Sequence, residues 1–277
     1  MNHALDGRYT ALLLTPLMIL MLLFFMLPAA SIVWESLHGA QLDVSTYADL
    51  LTSTLFRKVL ATTLEIGIEA TVVTLVVGYA IALHLARQTP TRRGIMMIFV
   101  MLPFWTSILV KSFAFTIVLG DAGLVNRAIA FVFGNTEPIQ LLFNRVGVLL
   151  GMLNFLIPFM VLPILGNLLA QDRSLQRAAE TMGAGPVRIF FRVTLPLSLP
   201  GVLSGVFMCL SLAVGSYITP ALLGGRTDMM LANLVDFYTR QTLDWPAASA
   251  IAMILLLITG AIVVLLTRVR GGNAEVL

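Results

Sequence analysis

Six stretches of the chain are apolar almost without interruption: Ala11 to Trp34, Val59 to Ala86, Ile95 to Leu119, Val146 to Ala170, Leu199 to Thr219 and Ala247 to Thr267. Crossing about 30 Å of hydrocarbon takes roughly 20 residues of α-helix, and each stretch is long enough. Lipid cannot hydrogen-bond the backbone, so an apolar crossing of this length closes its own bonds as a helix. The pattern predicts an all-α polytopic membrane protein with six transmembrane helices. The first stretch reads as a retained span. Only Arg8 precedes it as a basic flank, and Pro28-Ala29-Ala30 makes a poor cleavage site.

The polar connections orient the spans. With the N-terminus inside, ten basic and four acidic residues fall on the inner side, and six and eight on the outer side. That obeys the positive-inside bias and puts both termini in the cytoplasm. The formal charge of +3 is therefore an orientation signal with three ionisable residues left over inside spans: Glu65, Glu69 and Lys111.

The connection from Asp172 to Pro200 is patterned. Leu175, Ala178, Ala179 and Met182 recur at helical spacing, with Arg173, Gln176, Arg177, Glu180 and Thr181 opposite. Gly183-Ala184-Gly185-Pro186 breaks that helix, and Pro186 suits the first turn of another. Val187, Phe190, Phe191 and Thr194 repeat the spacing, and Pro196 and Pro200 are expected to end the element before the fifth span. Pattern alone allows a hairpin lying on lipid headgroups or a docking element for a cytoplasmic partner.

Composition narrows the chemistry. Of 277 residues, 58% are hydrophobic and 11% charged, too few charges to clothe a soluble core. The weak net charge gives no reason to expect nucleic acid. Lys58 and Lys111 are the two lysines and neither follows a glycine, so there is no P-loop. Gly201-Val202-Leu203-Ser204-Gly205 is not a nucleophile elbow. The three histidines are scattered and Cys209 stands alone, so neither metal site nor cofactor is expected in this chain. It is not read as an enzyme.

The intramembrane charges admit two roles. Lys111 can pair with a glutamate, or Glu65 and Glu69, which share a helix face, can supply negative potential on the path of a cationic solute. Pairing is favoured, because a buried charge ordinarily has a partner. The stripe Gly67, Thr71, Thr74 and Gly78 lies opposite the glutamates; if it packs within the subunit, they face a cavity or a second subunit. Asn154, Ser211 and Tyr217 join Glu65, Glu69 and Lys111 as candidate pathway residues.

Arg177-Ala178-Ala179, then three residues, Gly183, nine residues and Val193-Thr194-Leu195-Pro196 resembles the EAA motif of ABC importer permeases, Glu-Ala-Ala-x3-Gly-x9-Ile-x-Leu-Pro. Arg177 stands where that family usually has Glu, and Val193 where it has Ile. The resemblance implies a type I ABC importer permease fold, with coupling helices at 172–196 in a permease core at 59–267. Residues 1–58 would be the tail, first helix and outer loop, and 268–277 a cytoplasmic tail. It implies contact with the ATPase through Arg177, Ala178, Ala179, Glu180, Met182, Gly183, Ala184, Phe190, Arg192, Leu195 and Pro196. Leu102 to Ser107, Asn144-Arg145 and Gly215 to Gly225 look like the spermidine/putrescine branch. The implied partners are two copies of a cytoplasmic ATP-binding subunit carrying ATP and Mg, a second homologous permease in a heterodimer, a periplasmic or extracellular solute-binding protein, and inner-membrane lipid. The implied solute is small and cationic, a polyamine. The alternatives are another amino-acid-derived or organic solute, or an ATP-independent secondary carrier.

Overall fold

The structure, a computed structural model, describes residues 7–37, 45–134 and 137–274. Asp6, Asp43, Glu275 and the last residues of the expected tail lie outside these. The described residues form helices and their connections, and six helical segments are long and apolar enough to cross a membrane. The chain divides into two compact units, residues 1–56 with 234–254, and residues 57–233 with 255–277.

The first unit holds α1 (Gly7–Leu37), α2 (Ser45–Thr52) and the start of the last helix. From Leu14 onward α1 exposes apolar side chains on every side, and Ser36 is its one buried residue. A helix with no polar face is at ease only where its surroundings are apolar all round, as in lipid. Arg240 pairs with Asp236 at 2.7 Å, one helical turn apart.

The second unit holds α3 (Thr54–Ala86) from Arg57 onward, α4 (Pro90–Trp105), α5 (Ile108–Leu119), α6 (Leu124–Phe133) and α7 (Arg145–Ala170). After these come α8 (Arg173–Thr181), α9 (Pro186–Ile189), α10 (Leu195–Val214), α11 (Ile218–Leu223) and the start of α12 (Leu231–Phe237). The last helix, α13 (Trp245–Ala274), runs through both units. The core centres on α7. Its Met152, Leu156, Met160 and Ile164 pack with Ile66, Ala70 and Ala82 of α3 and Cys209 and Ala213 of α10. Lipid tails are as apolar as these side chains, so burial alone does not hold the helices together; close approach at small residues does. A Cβ on Gly201 would stand 2.7 Å from the Pro163 carbonyl oxygen, and one on Gly205 2.8 Å from the Met160 sulfur. The small stripe of α3 packs inside this unit, Gly78 against Met160 and Gly67 against Val214.

Two spans differ from expectation. The third is not one helix from Ile95 to Leu119. It breaks at Thr106, which is extended, and Ser107, whose ψ of 131° is also non-helical, so that α4 and α5 meet at an interruption. The apolar run hid this, because hydropathy is the same on either side of a break. The fifth starts far earlier than Leu199. Pro196 and Pro200 do not end the hairpin's second arm: α9, a π-turn at Phe190–Thr194 and α10 form one continuous run, Pro186–Val214. Leu195 donates its N–H to the Phe190 carbonyl, one residue beyond α-helical reach. Pro196 then falls in the first turn of α10, where its missing N–H costs little.

Candidate functional site

The hairpin at 172–196 is built by local rules. The Asp172 carboxylate caps α8, accepting the Ser174 N–H at 2.8 Å. Hydrogen bonds from the Ser174 hydroxyl and backbone N–H hold this carboxyl below its usual range, with Arg177 adding attraction. At the other end the Gly183 N–H bonds the Glu180 carbonyl at 2.9 Å and the Ala184 N–H bonds the Ala179 carbonyl at 3.0 Å. This is a Schellman closure, and Gly183 adopts the left-handed φ of +78° that it requires. Pro186 then opens α9, its fixed φ suited to a first turn.

The apolar stripe does not turn inward as a unit. Gln176 and Ala179 face the body of the unit, and Leu175, Ala178 and Met182 are exposed. Gln176 Nε2 reaches the Thr194 hydroxyl at 3.5 Å, and Gln171 Nε2 donates to the Thr194 carbonyl at 3.3 Å. At 100° per residue, the direction opposite Gln176 and Ala179 belongs to Ser174, Arg177, Ala178 and Thr181. On the second arm Val187, Arg188, Phe191 and Arg192 are exposed, whereas Phe190 is half-buried. Of the expected coupling residues, Arg177, Ala178, Glu180, Met182, Gly183, Arg192 and Pro196 lie on the surface; Ala179, Ala184, Phe190 and Leu195 are partly covered.

Tyr79 of α3, unmarked in the sequence pattern, ties this hairpin to the spans. Its ring meets Phe190 edge-on at 5.9 Å between centroids, and its hydroxyl is 2.9 Å from that of Ser198 in α10. A tyrosine inside an apolar run needs a partner for its hydroxyl, and that was the available signal. Between the hairpin and the ends of α3 and α7 lies a cleft of about 480 Å³, with Arg87, Gln171, Gln176 and Glu180 among its lining residues.

The expected pairing of Lys111 with a glutamate is not what forms. Arg145, at the start of α7, takes both carboxylates: its Nη2 is 2.9 Å from Glu65 and its Nε 3.4 Å from Glu69. The second contact is an ion pair outside hydrogen-bonding geometry. Two carboxylates against one guanidinium leave a net −1, and all three side chains are partly exposed. Lys111 instead donates to the Pro103 carbonyl, which the break in the third span releases, and lies 5.7 Å from the Phe155 ring centroid. Thr106 donates to the same carbonyl at 3.1 Å. Geometry explains the divergence. Asn154 follows Arg145 by nine residues, about 900° or two and a half turns, so the two project from opposite sides of α7.

Lys111 and Asn154 do come together. With Pro103, Thr106, Ala114 and Phe115 they line a cavity of about 270 Å³. Ser211 donates to the Phe207 carbonyl of its own helix at 2.9 Å, a local satisfaction that requires no solute. Tyr217 is exposed, and its carbonyl accepts the Asn233 amide at 3.0 Å. The six pathway candidates therefore separate into a Glu65–Glu69 cluster, a Lys111–Asn154 cavity, and Ser211 and Tyr217, which belong to neither.

Residues 74–270 match the family described as binding-protein-dependent transport system inner membrane component. The chain is 29% identical over 219 residues, 79% of its own length and 76% of the relative's, to the spermidine/putrescine transport system permease protein PotB of Haemophilus influenzae. It is 30% identical over 260 residues, 91% of its length and 88% of the relative's, to a protein of Salmonella paratyphi A provisionally named 2-aminoethylphosphonate transport system permease protein PhnU. Among solved structures, a bacterial alginate ABC transporter in complex with a pentasaccharide-bound periplasmic protein superposes with a TM-score of 0.79 at 18% identity, covering 94% of this chain and 93% of that one.

Proposed function

Since the chain belongs to the family of binding-protein-dependent transport system inner membrane components, we propose that it forms one half of a solute path for a polyamine. It is a multi-pass inner-membrane permease subunit of an ABC importer and performs no catalysis itself. The observation that carries the polyamine reading is the match to spermidine/putrescine permeases over 79% of the chain. The Glu65–Glu69 cluster supports it, since a net −1 after pairing with Arg145 still favours cations.

The hairpin at 172–196 serves as the contact with an ATP-hydrolysing subunit bearing ATP and Mg, two copies of which serve the assembly. The charge bias directs that hairpin and both termini to the cytoplasm. A related second permease completes the path, and a binding protein delivers solute from outside, as the periplasmic protein in the alginate complex supports. The permease core spans 59–267. ATP binding moves the hairpin, and the spans alternate between inward-open and outward-open states.

The test is reconstitution of the full assembly in proteoliposomes with labelled putrescine and spermidine. ATP-dependent uptake of either is expected. Uptake of 2-aminoethylphosphonate with no polyamine uptake would transfer the assignment to the solute named for the second relative. No ATP-dependent uptake of any solute that the cognate binding protein holds would overturn the permease reading.

A further inference from the structure

We propose that the hairpin docks on an acidic groove of the ATP-hydrolysing subunit, and that Arg177 selects that partner by charge. This rests on the permease reading above and adds the chemistry of the contact. Arg177, Arg188 and Arg192 are all exposed, and among the described residues none has a carboxylate within 4 Å. The hairpin's two acids, Asp172 and Glu180, are also exposed, but Asp172 caps α8 and Glu180 lies at the edge that borders the inner cleft with Arg87. Arg177, Arg188 and Arg192 against these two carboxylates leave the outward surface cationic.

It is also apolar in places. Met182 is 87% exposed, Val187 69%, Phe191 60% and Leu175 49%. Large apolar side chains gathered on so short a polar element mark a surface that something covers. Val187, Phe191, Arg188 and Arg192 border an open hollow of about 490 Å³ beside the glycine turn. Nothing stands within 4 Å of a Cβ on Gly183 or Gly185, so a partner can approach the turn closely. The glycine closure and Pro186 fix the shape beforehand, so little entropy is lost on docking.

A headgroup surface is the competing occupant. An interfacial helix points its large apolar residues at the bilayer with cations to the sides. In α8 the outward direction belongs to Ser174, Arg177, Ala178 and Thr181, with Leu175 and Met182 at one edge. That arrangement fits a groove with apolar walls and carboxylates that meet Arg177. A glutamate at this position would meet those carboxylates with like charge, so the arginine rejects as well as attracts.

The experiment uses the full chain co-expressed with the ATP-binding subunit of its own transport system, and measures retention of that subunit against salt. In the wild type, retention should fall as salt rises. R177E should weaken it at least tenfold at low ionic strength, R192E less, and R177K little. R177E should still fold, because Arg177 is exposed and its attraction to the exposed Asp172 is screened by solvent. R177Q, which removes the charge without repelling Asp172, should match the wild type in melting temperature and show an intermediate loss of retention. Changing one groove Asp or Glu of the ATPase to Lys should restore binding to R177E and weaken it for the wild type. Unchanged retention with R177E overturns the proposal. So does unchanged retention accompanied by loss of binding to cardiolipin nanodiscs, which would make the surface a headgroup site. If the wild type retains no ATPase at any salt, the permease reading itself fails.

Discussion

At the scale of single residues, Lys111 and Asp172 each do a local job that sets a larger boundary. Lys111 shares with the Thr106 hydroxyl the Pro103 carbonyl that the break between α4 and α5 releases into an apolar medium. Removing a partner from such a group costs about 1–3 kcal/mol. Lys111→Met should lower the melting temperature of the purified subunit, and Lys111→Arg, which keeps a donor, should recover most of it. A Met variant as stable as the wild type would mean that the Thr106 hydroxyl alone suffices for Pro103. Asp172 gives a pH signature. Its carboxyl is held below the usual range by Ser174, so the cap is fully present above the ordinary pKa of about 3.9 and is lost as pH falls through the lower folded value. Protection of the α8 amides should fall in that acid window, after correction for intrinsic exchange. Asp172→Asn caps without titrating, so its profile should stay flat there.

At the scale of elements, the contact between α3, the hairpin and α10 is the one to probe. Tyr79→Phe removes the hydroxyl bond to Ser198 but keeps the edge-on contact with Phe190. It should cost about 0.5–1.5 kcal/mol, and Tyr79→Ala, which loses both, should cost more. The check is whether transport falls while ATPase turnover continues, the mark of a loosened linkage; equal loss of both would assign Tyr79 to folding alone. The elements were readable from sequence to different depths. The apolar runs announced the spans, because length and hydropathy are what a bilayer demands. The glycine turn announced the hairpin, because few residues other than glycine tolerate a φ of +78°. The break at Thr106–Ser107 stayed hidden, since a broken and an unbroken apolar run have the same composition. Continuity of α9 with α10 stayed hidden because Pro196 reads as a stop unless the π-turn before it is known. The charged contacts went astray for another reason. Lys111 was the expected partner of the glutamates, but the choice depended on the face of α7, and Arg145 had entered only as an orientation charge and as part of the family resemblance.

At the scale of the whole molecule, the charge bias predicts which ends are accessible. A reporter that is active only in the cytoplasm should work when fused after Leu277 and fail when inserted in the Gly134–Pro138 connection. The reverse outcome would invert the topology and put the arginine-rich hairpin outside the cell, out of reach of any ATPase. Family membership and the hairpin agree on a division of labour. The chain is a permease subunit of an ABC importer and hydrolysis belongs to a separate subunit; on the proposed coupling, the hairpin would be the handle by which its path is moved.

If the hairpin is the handle proposed above, the unbroken run from Pro186 to Val214 would give it reach. Twenty-nine residues at 1.5 Å each make a lever about 43 Å long. Pivoting it by about 5° near one end carries the other end about 4 Å, close to the width of an alkylammonium chain. A jointed connection at Pro196 would have spent that motion in the bend. On the proposed coupling, movement of the hairpin would therefore reach the far end of α10 through helix and not through a loop.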